Sequence, residues 1–193
     1  MKNKYELIYE GKAKKVFSHK DVDKVIIEFK DDATAFNSLK KARFEGKGKL
    51  NCQISSKIFE LLINRNIPTH FLELKNDELN DPLITKDRIE LMKIISSKDL
   101  DFITNQTLKI NGILKSFFKN IHIELVDFKL EFGYDIKNNI ILGDEISPDN
   151  CRLWDLNQNN DTIISLDKDR FRNDLGGLIE AYSEINRRIN DFI

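Results

Sequence analysis

Over the first fifty residues apolar side chains come in short bursts, Leu7 to Tyr9, Val16 to Ser18 and Val25 to Phe29, separated by Gly11 and by the polar stretch Lys20 to Lys24. Short runs of this kind bounded by turn residues predict the strands of an antiparallel lobe. From Asn51 the period lengthens: Ile54, Ile58, Leu61 and Leu62 fall on one helical face, with Asn51 as the expected N-cap and Pro68 beyond the end. A strand over residues 69–74 follows. The polar run Lys75 to Pro82 then marks the expected boundary between two lobes, 1–74 and 75–193.

Beyond that boundary Ile103, Thr107, Ile110, Leu114 and Phe117 predict a second helix, with Asn111-Gly112 as a weak point inside it. A hairpin is expected next, Ile123 to Phe132 against Ile140 to Ile146, and a loop from Ser147 to Asp155 after it. Phe171, Leu175, Leu178, Tyr182, Ile185, Ile189 and Phe192 then form a closing helical stripe. Strands, helix, strand, helices, hairpin and helix make an α+β layout rather than a regular βαβ alternation.

Composition narrows the function. The 193 residues carry 31 Lys plus Arg against 32 Asp plus Glu, a net charge of -1, so no overall field favours nucleic acid or an anionic membrane. Charges occupy the first residues where a secretory signal would be apolar, and no apolar run approaches the ~18 residues of a membrane span. A cytoplasmic protein is expected. Cys52 and Cys151 are isolated, which argues against a disulfide framework or a zinc site, and His19, His70 and His122 stand apart from any nucleophile in sequence.

The chemistry concentrates in a few places. In a strand over 126–132, Asp127, Lys129 and Glu131 share one face and Val126, Phe128, Leu130 and Phe132 the other. A solvated face laced with salt bridges is the simpler explanation of that pattern. A turn centred between Lys137 and Asn138, however, sets Glu131 opposite Asp144, and two facing carboxylates repel unless a cation relieves them. Mg²⁺ suits oxygen ligands completed by substrate phosphates; a one-residue slip of register would remove Asp144 from that face. Gly11, Lys12, Ala13 and Lys14 form a basic turn between two strands, able to bring backbone and lysines to a phosphate, though without the Walker A pattern. Gly46 to Lys49 offers a second basic turn ahead of the first helix. Arg152, beside Trp154 in the 147–155 loop, suits bidentate recognition of phosphate or carboxylate.

Taken in order, Gly11 to Val16, Asp31 to Asn37, Ile67 to Phe71, Leu125 to Gly133, Asp144 to Asp149, Arg152 to Asp155 and Asp167 to Arg172 resemble the phosphoribosylaminoimidazole-succinocarboxamide synthases, or SAICAR synthetases, of purine biosynthesis. The resemblance implies a two-lobed α+β fold with ATP between the lobes. It also implies an ATP-dependent carbon–nitrogen ligase that joins L-aspartate to carboxyaminoimidazole ribonucleotide. By the same resemblance Gly11, Lys12, Ala13 and Lys14 hold ATP, Glu131 and Asp144 hold Mg²⁺, and Asp127 and Lys129 are catalytic. Asp127, Lys129, Arg152, Asp149 and Arg172 face the imidazole nucleotide, no nucleic acid or membrane partner is implied, and a homo-oligomer is left open.

One departure is large. In the family the strand matching Thr69 to Leu74 leads into a Val-Lys-Lys hinge beside adenine, then a Glu-Val-Val-Val-Arg-Asn strand and an Ala-Gly-Ser turn that helps bind phosphate. Here Leu74 runs directly into Lys75-Asn76-Asp77-Glu78. The expected activity of the shortened chain is therefore very low. The alternatives are a catalytically impaired nucleotide-binding relative and, lower, a small kinase-like phosphotransferase, which would need the H-R-D and D-F-G segments that this chain lacks.

Overall fold

The computed structural model describes residues 5–21, 24–36, 39–70, 89, 92–157 and 164–193. Strands β1 (Leu7–Glu10), β2 (Lys14–Ser18) and β3 (Val25–Phe29) form the expected antiparallel sheet in that order. A second antiparallel pair, β4 (Asp32–Ala35) and β5 (Lys40–Arg43), follows. Its only apolar residues are alanines, Ala33 and Ala35 buried on β4 and Ala42 on β5, which gives too faint a pattern to read from sequence.

Helix α1 (Lys47–Ile63) begins four residues before the expected cap at Asn51. Left-handed Gly46 (φ 85°) precedes it, and Asn51 lies one turn inside, buried with Lys47 and Ser55. The start is set by packing. A Cβ on Gly48 would lie 2.2 Å from the Phe29 carbonyl oxygen, so glycine allows the helix to begin against the end of β3. Helix α2 (Ser97–Asn120) runs unbroken through Asn111-Gly112, capped by Ser96, whose hydroxyl accepts from the Asp99 N–H at 3.1 Å. The roughly 1 kcal/mol cost of an internal glycine is offset by burial of Ile110, Leu114, Phe117 and Phe118.

The expected hairpin is rearranged. Strand β6 (Ile123–Phe128) pairs with β9 (Cys151–Asp155), while β7 (Glu131–Tyr134) pairs with β8 (Ile140–Gly143). A register shift between Leu125 and Asp127 leaves Val126 exposed, whereas Phe128, Leu130 and Phe132 pack against the core as expected. The β7–β8 turn holds five residues, closed by the Asp135 carboxylate, which accepts from the N–H groups of Lys137 and Asn139. An odd loop centres on Lys137, so Glu131 stands opposite Gly143 and the expected pairing with Asp144 is off by one.

Thr69 bridges Leu142 in parallel, so the expected strand at 69 starts there. Its residues 71–74, and the 75–82 boundary, lie outside the described residues. The closing stripe splits into α3 (Asp169–Arg172) and α4 (Leu178–Phe192), because Asp174, Gly176 and Gly177 all take left-handed backbone, and Leu175 is exposed between them. One apolar cluster joins Ala33 and Ala35, Ile54 to Leu62 of α1, Ile110 to Phe118 of α2, Leu153 of β9 and Tyr182 to Ile189 of α4. Among the described residues no helix is long and apolar enough to cross a membrane.

Candidate active site

The Gly11 turn lies between β1 and β2 as the sequence predicts, closed by the Gly11 N–H donating to the Lys14 carbonyl at 2.8 Å. Lys30 supports it from β3's end, its ammonium donating to the Gly11 carbonyl at 3.3 Å and pairing with Glu10 at 2.9 Å and Asp32 at 3.1 Å. Lys12 lines a cavity of about 350 Å³ with Lys30, Asp32, Thr34 and Lys41. Lys14 reaches across the molecule to the segment after β8. There its ammonium bonds the Asp144 carboxylate and lies 3.0 Å from Glu145 Oε1, over the Phe29 ring at 5.3 Å. Burial works against its charge, but Glu145 and Asp144 outweigh that and raise its pKa.

Asp144 has left-handed backbone (φ 55°), just beyond β8. Lys129, in the gap between β6 and β7, bonds Glu131 and lies 4.0 Å from Asp144 Oδ2. Glu145, Lys14, Asp144, Lys129 and Glu131 thus form a line of alternating charge. Glu145 is the buried end: burial drives its pKa up against the pull of Lys14, and its second oxygen accepts from the Ser147 hydroxyl.

Helix α1 holds this segment from below. Ser55 Oγ accepts from the Ile146 N–H at 3.2 Å, and the Lys47 ammonium, 1% exposed, lies 2.8 Å from Asp149. Asp149 also accepts from the Tyr182 hydroxyl at 2.7 Å and lies 3.6 Å from Lys168. Burial would raise its pKa, but Lys168 and Lys47 hold it below the ordinary carboxylate value. Lys47 belongs to the Gly46–Lys49 turn. The anion expected at that turn is supplied by the protein itself, since the Gly48 N–H donates to Asp31 Oδ1 at 3.0 Å.

A second cluster extends along β6 and β9. Arg152 donates to Asp127 Oδ2 at 2.6 Å and to Asp169 Oδ2 at 3.0 Å, and Arg172 donates to Asp169 Oδ1 at 2.7 Å. Asp127 and Lys129 therefore do not share one strand face. Asp127 is held by Arg152 across the β6–β9 pair, and Lys129 belongs to the Asp144 line. Sequence reasoning missed Glu145 and Ser147 as members of the site; Glu145 follows Asp144 directly, and only the turn after β8 turns it inward. Cys151 is buried, and burial pushes its thiol well up. His70 Nδ1 donates to the Leu142 carbonyl, 3.1 Å away, and burial lowers its pKa.

Among the described residues no three His, Cys, Asp or Glu side chains converge as a self-contained metal site. Two carboxylates, Glu131 and Asp144, linked through one lysine fit a different kind of ion, one that takes one or two protein oxygens and completes its shell with phosphates and water, as Mg²⁺ does.

The SAICAR synthetase model matches residues 7–74 and 72–189, which together take in most of the chain. The chain belongs to the SAICAR synthetase family. The phosphoribosylaminoimidazole-succinocarboxamide synthase of Prochlorococcus marinus subsp. pastoris (strain CCMP1986 / NIES-2087 / MED4) is 59% identical over 242 positions covering 100% of both chains. That of Prochlorococcus marinus (strain NATL1A) is 42% identical over 95% of this chain and 94% of its own. Among solved structures, the SAICAR synthetase of Ehrlichia chaffeensis superposes with a TM-score of 0.86 at 38% identity, covering 96% of this chain and 98% of the other. A SAICAR synthetase described as in complex with ADP superposes at 0.83 with 43% identity, covering 94% and 96%. The 242 aligned positions exceed this chain's 193 residues by 49, and the two family matches meet at 72–74, where the sequence places the missing hinge.

Proposed function

We propose that this chain binds a magnesium nucleotide between its β1–β3 sheet, in the 1–74 lobe, and the Glu131–Asp149 region of the 75–193 lobe. The chemistry proposed for it is that of its family: ATP-dependent joining of L-aspartate to carboxyaminoimidazole ribonucleotide. The observation that carries this reading is the line Glu145–Lys14–Asp144–Lys129–Glu131, which brings a lysine of the Gly11 turn against the two carboxylates assigned to the metal. Such a line suits three anionic ligands, because each lysine can exchange a protein carboxylate for a substrate oxygen where a metal cation takes over the carboxylate it releases.

In the reaction a substrate carboxylate is a poor electrophile until the terminal phosphoryl group of ATP is transferred to it. The aspartate amine then attacks the acyl carbon, phosphate leaves with the C–O electron pair, and the amine gives up a proton. In this chain Lys12, Ala13 and Lys14 hold the nucleotide phosphates. Glu131 and Asp144 hold Mg²⁺, which when bound neutralises phosphate charge. Lys129 and Asp127 face the reacting carboxylate, and Arg152 and Arg172 bind the phosphate of the imidazole nucleotide, exchanging Asp127 and Asp169 for it. The family resemblance also puts Asp149 on the nucleotide side. Its ion pair with buried Lys47 supports the part of holding the Ser147–Asn150 turn in place.

The test is ADP release by the purified chain with ATP and carboxyaminoimidazole ribonucleotide, with and without aspartate. Aspartate-dependent release supports the ligase. Release that ignores aspartate supports a phosphotransferase, and binding of Mg-ADP without release supports the impaired relative.

A further inference from the structure

Lys14 has two carboxylate partners, and they are held in different ways. Asp144 lies past the end of β8 with its side chain 18% exposed, its carboxylate bonded to Lys14 and 4.0 Å from Lys129. Glu145 is 5% exposed and anchored on both oxygens. Oε1 lies 3.0 Å from the Lys14 ammonium, and Oε2 accepts from the Ser147 hydroxyl, whose oxygen accepts in turn from the Asp149 N–H at 3.1 Å.

A divalent cation and an ammonium would compete for one carboxylate, and a cation held by Asp144 would take that carboxylate from Lys14. A lysine paired to Asp144 alone would then either block the metal or be driven out of the site. A buried carboxylate that loses its cation is left uncompensated, which is costly. Glu145 is therefore the partner that keeps Lys14, and the Phe29 ring 5.3 Å from the ammonium favours the same position.

We infer that Glu145, locked by Ser147, is a positioning residue that keeps the Lys14 ammonium in the site, aimed at nucleotide phosphate oxygens, when Asp144 passes from Lys14 to the metal. The inference rests on the nucleotide-site reading above and adds to it a residue with no direct contact to substrate.

The experiment is calorimetric titration of the full 193-residue chain with ADP over a series of Mg²⁺ concentrations, for the native chain, Glu145→Gln, Glu145→Asp and Ser147→Ala. In Glu145→Gln the lysine relies on Asp144, so the Mg²⁺ concentration for half-maximal ADP binding rises about tenfold, and Glu145→Asp recovers part of the shift. A residue that merely supported the fold would weaken ADP binding at every Mg²⁺ concentration and leave that midpoint in place. An unmoved midpoint in folded Glu145→Gln overturns the inference while leaving the nucleotide site standing. If circular dichroism shows Glu145→Gln unfolded, Ser147→Ala decides, with a smaller upward shift expected and no shift overturning the inference. A native chain that binds no Mg-ADP overturns the nucleotide-site reading and the inference with it.

Discussion

The ammonium of Lys129 stands between two carboxylates, in contact with Glu131 and 4.0 Å from Asp144. Glu131 reaches this position from β7 and Asp144 from a left-handed residue just past β8, so their approach comes from a turn of backbone rather than from facing each other across the sheet. A lysine lodged between two acids is displaced at little cost when a divalent cation arrives with phosphate, because the incoming charges replace the ones it leaves. Glu131→Gln removes one oxygen anion from a half-exposed position. Mg-ADP affinity should fall about tenfold or more, while the unfolding free energy from urea titration changes by no more than surface substitutions usually cause, about 0.5 kcal/mol. Unchanged calorimetric affinity would take Glu131 out of the ligand set.

At the scale of elements, Arg188 fastens α4 to the strands beneath the site. It is 8% exposed and donates to both oxygens of Asp155 at the end of β9, each at 2.9 Å, to the His122 carbonyl after α2 at 3.0 Å, and to Glu184 one turn back at 2.7 Å. Hydrogen bonds from Arg187 and Arg188 bring Glu184 down to about 2. Burial pushes Asp155 up, but Arg188 outweighs it and holds that carboxyl below its ordinary value. Both groups bind protons less readily folded than unfolded, so they contribute stability above their unfolded values near pH 4 and lose it as the pH falls through the folded ones. The unfolding free energy from urea titration should drop by about 3 to 5 kcal/mol for Arg188→Leu at neutral pH. The further loss between about pH 5 and pH 3 should be shallower than in the native chain. Parallel pH profiles would show that Arg188 does not link the two titrations to folding.

Over the whole molecule the decisive feature is what separates this chain from its relatives. The family positions absent near residue 74 include, by resemblance, the adenine hinge and a phosphate-binding turn, while the described core joins α1, α2, β9 and α4 in one apolar cluster. The described residues keep one apolar cluster without the missing stretch. Each lost charge-assisted contact weakens ligand binding by roughly ten- to a hundredfold. Ligase turnover of the 193-residue chain should accordingly be very low, and the family hinge and strand inserted between Leu74 and Lys75 should restore it. Equal, family-like turnover from both chains would mean that other residues of the short one replace the lost contacts.

Local sequence determined a good deal of this protein. Gly11 between two apolar bursts was enough to place a basic turn between β1 and β2, and the spacing of Ile110, Leu114 and Phe117 carried α2 through Gly112. Motif order was enough for the family. Strand pairing was legible only in part, because alternation assigns a residue to a face and says nothing of the neighbouring strand: β6 pairs with β9 and not β8. Register depended on one residue in a turn, and the odd loop held by Asp135 moved Glu131 from Asp144 to Gly143. The start of α1 depended on the space beside Phe29, and the burial of Lys47 on Asp149 about a hundred residues away. Only the tertiary structure brought Lys14 to Glu145. A periodic pattern records the environment of each residue along its own element, whereas contact between charges distant in sequence exists only once packing fixes where the elements lie.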